Sequence, residues 1–91
     1  EDPAIDLAVV AAILSSYHDI ALPKETCFAA EIGLSGELRP VSKLDQRIAE
    51  AEKLGFDTIV NSKGTKNKHS AKGINVLVLT KIEEVVALLF V

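Results

Sequence analysis

Six serines, one cysteine, two histidines and a run of lysines are the residues of this chain whose types could do chemistry. A serine becomes a nucleophile only beside a base that takes its proton. None of Ser15, Ser16, Ser35, Ser42, Ser62 and Ser70 sits in a glycine elbow or beside a plausible base. Their neighbours suit helix caps and turns instead. Cys27 precedes Phe28 in an apolar stretch and reads as a small buried hydrophobe, with no basic residue beside it to lower its pKa. As the single cysteine it excludes an intrachain disulfide and weakly favours a reducing compartment. His18 and His69 add too few ligands for a Cys/His zinc site, so no metal is expected.

The charge pattern is more pointed. Lys63, Lys66, Lys68 and Lys72 fall within residues 62–73, which contain no acid. Formal net charge is −3, from 10 basic and 13 acidic residues; without these four lysines the remainder is 6 − 13 = −7. A cationic loop on an acidic body can contact phosphates. Gly64 and Gly73 allow close backbone approach, but their spacing and the lack of a following helix start do not fit a nucleotide-cradling loop. The competing reading is a solvated surface loop. Arg39, Lys43 and Arg47 extend the basic surface if their elements lie beside it.

Those residues need a frame, and 91 residues suit one domain. With no Trp or Met and four aromatic residues, the core must be aliphatic. The longest apolar run, Leu7 to Leu14, is far short of the ~20 residues a bilayer span needs, and no signal peptide opens the chain. Asp2 as N-cap and Pro3 at the first helical position predict a helix over 2–17. Being apolar all round, it should be buried on more than one side. Residues 26–33 and 37–41 read as a hairpin turning at Leu34-Ser35-Gly36. Residues 43–54 read as an amphipathic helix, with Ser42 and Asp45 in a capping-box pattern and Gly55 as its stop. Strands follow at 57–61 and 74–80. The second, nearly all aliphatic, is expected at a central position. A last helix, capped by Thr80 and Glu83, buries Ile82, Val85, Val86 and Leu89. The order αββαββα indicates an α/β (α+β) sandwich, helices on a small mixed sheet.

Two segments carry a family resemblance. Asp2-Pro3-Ala4-Ile5-Asp6-Leu7-Ala8 resembles the Gly-Pro-Ser-Ala-Gly stretch that bears the serine nucleophile of Lon-type peptidases. Glu31 to Arg47 resembles the strand, turn and helix start that bear their lysine base. In that register the serine position is Ala4 and the lysine position is Asp45. A methyl group cannot attack a carbonyl, and a carboxylate cannot serve as an amine base. Lys43 lies two residues away, rotated by roughly 200° on a helix, and cannot take over. With Arg39-Pro40-Val41-Ser42-Lys43-Leu44-Asp45-Gln46-Arg47-Ile48 and Ala51-Glu52-Lys53-Leu54-Gly55-Phe56, the whole chain resembles the C-terminal Lon-like domain of the RadA/Sms family of bacterial DNA repair ATPases.

The resemblance implies a non-catalytic scaffold and DNA-interaction domain, residues 1–91, lacking the strands that begin the family's domain. Its parent would be a cytoplasmic DNA-dependent ATPase for recombinational repair and branch migration. That parent would form a hexameric ring and bind ATP, Mg and Zn, none of them through this segment. DNA contact would fall on Lys63, Lys66, Lys68, Lys72, Arg39, Lys43 and Arg47. The rival is a Lon-type peptidase-derived domain that binds protein substrates or partners and has no DNA role.

Overall fold

A computed structural model describes residues 5–62 and 73–90. The elements are β1 (Ile5–Asp6), α1 (Leu7–His18), β2 (Thr26–Ile32), β3 (Leu38–Pro40), α2 (Leu44–Lys53), β4 (Thr58–Ser62), β5 (Asn75–Leu79) and α3 (Ile82–Phe90). The expected α/β class and mixed sheet are present, with one short strand added ahead of the expected order. β2, β4 and β5 are parallel, in register at Phe28, Val60 and Leu77. β1 and β3 run antiparallel to β2, with Ile5 and Leu38 both level with Ile32.

Strand alternation sends successive side chains to opposite faces, and each face has its own core. Phe28, Ala30, Val60, Leu77 and Leu79 meet Leu7 and Val10 of α1 and Ile82, Val85 and Leu89 of α3. Cys27, Ala29, Ile59 and Val76 meet Leu44, Ile48 and Ala51 of α2. The molecule is therefore a helix–sheet–helix sandwich around aliphatic cores. Each fully buried Leu, Ile or Val stabilises it by about 1.5–3 kcal/mol.

The hairpin and α2 form where the sequence places them. Gly36, at φ +82°, supplies the turn, and the Gly33 N–H donates to the Glu37 carbonyl at 2.9 Å. Gly55, at φ +97°, ends α2. Its N–H donates to the Glu52 carbonyl, and that of Phe56 to the Ala51 carbonyl, closing the last turn.

Four expectations are corrected. The first helix starts at Leu7, not at residue 2, because Ile5 and Asp6 are extended and pair with β2. Asp6 is the N-cap, accepting from the Ala8 N–H at 2.8 Å; Asp2 and Pro3 lie outside the described residues. Nor is α1 covered all round: Leu7 and Ala11 are buried, whereas Val9, Ile13 and Tyr17 are exposed. The single sheet face beneath it can cover only one stripe. β5 lies at the end of the strand order rather than in the middle, and its Val78 is 52 % exposed. Its apolar character instead covers both cores from the side. Finally, neither capping box forms as read. Lys43, at φ +56°, is the N-cap of α2 and makes no side-chain cap. At α3 the carboxylate that reaches back is Glu84, accepting from the Thr80 and Lys81 N–H groups at 2.6 and 3.1 Å. Helix α3 begins one residue later than the Thr80 pattern implied, which moves the third helical position from Glu83 to Glu84.

Candidate functional site

α2 connects the parallel strands β2 and β4 and so runs antiparallel to them. Its last turn lies at the strand starts, where the Glu52 carboxylate accepts the Gly73 N–H at 2.8 Å just before β5. Its first turn therefore lies at the strand ends, beside Ser62, from which the lysine-bearing segment departs. Ligands of open parallel sheets collect at this end of the strands.

Asp45 is exposed in the first turn of α2. Ala4, the other position implied by the resemblance, lies outside the described residues, as do Lys63, Lys66, Lys68 and Lys72. Of the three remaining basic candidates, Lys43 and Arg47 are one helical turn apart, joined by the first backbone bond of α2, from the Arg47 N–H to the Lys43 carbonyl at 3.1 Å. The Arg47 Nε folds back to donate to the Ser42 carbonyl at 3.1 Å. Arg39, on β3, is turned to Glu37 instead, its Nε and Nη2 donating to Oε2 at 3.2 and 3.0 Å. The structure thus unites Lys43 and Arg47 at one helix start, while Arg39 is paired with an acid.

This helix start is open. Lys43 occupies the left-handed region and makes no side-chain cap, and among the described residues no side chain accepts from the first N–H groups of α2. Helix starts carry partial positive charge, to which Lys43 and Arg47 add and from which Asp45 subtracts. The arrangement can receive an anionic group. Two of the described serines have engaged hydroxyls. The Ser62 hydroxyl is buried and donates to the Leu38 carbonyl at 3.0 Å, and that of Ser15 donates to the Ile20 carbonyl. Burial pushes the Cys27 thiol up, away from the reactive thiolate. Among the described residues no group of three His, Cys, Asp or Glu side chains could hold a metal.

Glu37 and Glu84 are both held below the usual carboxylate range. For Glu37 the largest cause is its own backbone N–H, followed by Arg39. For Glu84 it is the Thr80 N–H, followed by that of Lys81. Both fix turns rather than a site.

Sequence reasoning missed Asn61. As the last residue of the strand expected at 57–61 it is given no role, yet it sits inside β4, 1 % exposed, and neither its Nδ2 nor its Oδ1 has a hydrogen-bond partner among the described residues. It shares the α2 face of the sheet with Ile59 by alternation and lies level with Ala29 and Val78. The available signal was an amide, poorly suited to strands, directly after Ile59-Val60.

The chain is 45 % identical over 91 residues to DNA repair protein RadA of Streptococcus pneumoniae (strain ATCC BAA-255 / R6), covering 99 % of this chain and 22 % of that protein. It is 41 % identical over 85 residues to DNA repair protein RadA of Bacillus subtilis (strain 168), covering 92 % and 19 %. Against DNA repair protein RadA of Mycolicibacterium smegmatis the identity is 51 % over 59 residues, 65 % of this chain and 13 % of that protein. The chain spans about a fifth of the length of the curated relatives it matches. Residues 1–65 match the model of the ChlI family, described as subunit ChlI of Mg-chelatase. Since that match takes in β1 to β4 and the open start of α2, the chain belongs to the ChlI family, and its curated relatives are DNA repair proteins.

Proposed function

We propose that these residues form a non-catalytic, Lon-like scaffold and DNA-interaction domain of a RadA-like DNA repair ATPase. The similarity to DNA repair protein RadA over 99 % of this chain carries the reading. The open α2 start with Lys43 and Arg47, at the strand ends from which the lysine-bearing segment leaves, supports it. In this proposal the domain has lost peptidase chemistry, with Ala4 and Asp45 at the former nucleophile and base positions. It holds subunits of a cytoplasmic ring, hexameric in the parent, and touches duplex DNA during branch migration. ATP, Mg and Zn bind elsewhere in that parent.

DNA contact is to phosphates. The segment from Lys63 to Lys72 has no aromatic residue on which a base could stack. Each phosphate neutralised on duplex DNA adds about 0.9 to the log–log salt slope, so four lysines steepen it by at most about 3.6. The test replaces Lys63, Lys66, Lys68 and Lys72 with Gln in the full-length protein and measures duplex binding against salt. A shallower slope is expected; an unchanged slope and affinity would remove the loop from the interface.

A further inference from the structure

The Asn61 side chain is 1 % exposed, yet neither of its polar atoms has a partner among the described residues. Buried amides are nearly always hydrogen-bonded, and one that is not weakens the fold and calls for a cause. A second set of unused groups lies at the start of α2. Among the described residues nothing accepts from the N–H groups of Leu44, Asp45 and Gln46, and Lys43 ahead of them gives no side-chain cap. A left-handed Lys43 followed by helical residues turns these successive N–H groups to one side, the backbone geometry that cradles anions.

The fold places the amide beneath those donors. Alternation turns Asn61 to the α2 face of the sheet, as it does Ile59. Ala29, level with Asn61 on β2, shares one core with Leu44 and Ile48. Val41 packs against the same core, so the chain is pinned to that face on both sides of Lys43. The first turn of α2 therefore sits over the end of β4, with the amide directed at its underside. On the outer side Lys43 is exposed. The Arg47 Nε donates back to the Ser42 carbonyl at 3.1 Å, which brings the guanidinium to the same end of the helix. Donors thus converge from helix, sheet and flanking side chains, and the opposing charge in that turn is the exposed Asp45.

We propose that the start of α2 binds a phosphate group and that Asn61 is one of the residues that hold it. The N–H groups of Leu44, Asp45 and Gln46 and the Asn61 Nδ2 donate to its oxygens, while Lys43 and Arg47 balance its charge. Tetrahedral oxygens can meet donors on the helix and on the sheet at once, which a planar carboxylate cannot. Both polar atoms of Asn61 are shut off from solvent in the free chain, so the incoming group lifts the first turn of α2, which no side-chain cap holds down. The amide weakens the free fold and strengthens the bound one, as functional groups placed against local rules do. This site deepens the phosphate contact proposed above and rests on that reading; the phosphate is one of duplex DNA or a free one.

The test titrates the chain with inorganic phosphate, at an ionic strength held constant with sodium chloride, and follows the backbone amides and the Asn61 side-chain NH2 by NMR. Saturable shifts are expected at Leu44, Asp45, Gln46 and the Asn61 NH2. Asn61→Val should weaken phosphate binding about tenfold while raising the melting temperature of the free chain, a combination that a purely structural residue would not give. Asn61→Ala should weaken binding alike and guards against crowding by the valine. Asp45→Asn should tighten binding by removing the opposing charge. Shifts that never saturate, an Asn61 NH2 that stays unmoved, or variants at Asn61 that bind phosphate as tightly as the original chain would overturn the inference. A short duplex is the second arm: if the phosphate is that of DNA, it shifts the same amides and responds to Asn61→Val in the same way. Duplex binding at Lys43 and Arg47 that ignores Asn61→Val would remove this site and leave the proposed function standing. Phosphate saturation at Asn61 without duplex binding would do the reverse and assign the site to free phosphate.

Discussion

α2 and α3 both follow extended chain, yet they begin in opposite ways. The start of α3 is closed: Glu84 accepts from the Thr80 and Lys81 N–H groups and from the Thr80 hydroxyl. The start of α2 is open, with Lys43 strained into the left-handed region and no side-chain cap. A closed terminus has its donors satisfied and serves the fold. An open one costs stability and leaves donors free, and here it carries Lys43, Arg47 and the Asp45 position. α2 must therefore be held from the side, by Leu44, Ile48 and Ala51 against the sheet. The helix best anchored at its start is structural, and the one anchored by its flank presents the candidate surface.

The strongest way to break this comparison is to cut the flank. Ile48 is 0 % exposed, and Ile48→Ala should cost about 2–5 kcal/mol in urea unfolding. That is much of the 5–15 kcal/mol typical of a domain. A loss below about 1 kcal/mol would mean that α2 is held elsewhere. Next comes the orphan amide beneath the α2 face. Asn61→Val should raise stability by about 1–3 kcal/mol by removing two unpaired buried polar atoms. Destabilisation would show that the amide has a partner. At the open terminus, Lys43→Gly should gain up to about 1 kcal/mol by relieving the left-handed backbone.

The closed terminus gives the smallest effect, readable through pH. The Thr80 and Lys81 N–H groups hold the Glu84 carboxyl below its ordinary value of 4.5. A depressed folded-state pKa contributes stability that is present above the unfolded value and lost as pH falls through the folded one. Thermal stability should therefore drop on acidification below about pH 4.5, with Glu84→Gln flattening part of that fall.

Periodicity and turn chemistry made the hairpin, α2 and the packing of Ile82, Val85 and Leu89 of α3 legible, because those signals are local; Val86, expected with them, is not part of that core. What failed depended on partners distant in sequence. Asp2 and Pro3 form a sound helix start by themselves, but pairing with β2 keeps Ile5 and Asp6 extended, and the helix starts at Leu7. The aliphatic run of β5 looks the same in a central strand as in one that closes two cores from the side. Both capping boxes had the right residue types in the wrong register, a one-residue matter that propensity does not resolve. For the site, the exposed position of Asp45 followed from α2 itself, whereas the burial of Asn61 depended on how far β4 extends.

The most direct test of the account is a backbone NMR titration of this chain with a short duplex at low salt. Shifts should concentrate on Lys43, Arg47 and the segment from Lys63 to Lys72, should vanish with added salt, and should leave Glu84 and the start of α3 unmoved. Shifts centred on α3 with none at the α2 start, or no shifts at any salt concentration, would contradict the assignment of the open terminus as the DNA-facing surface.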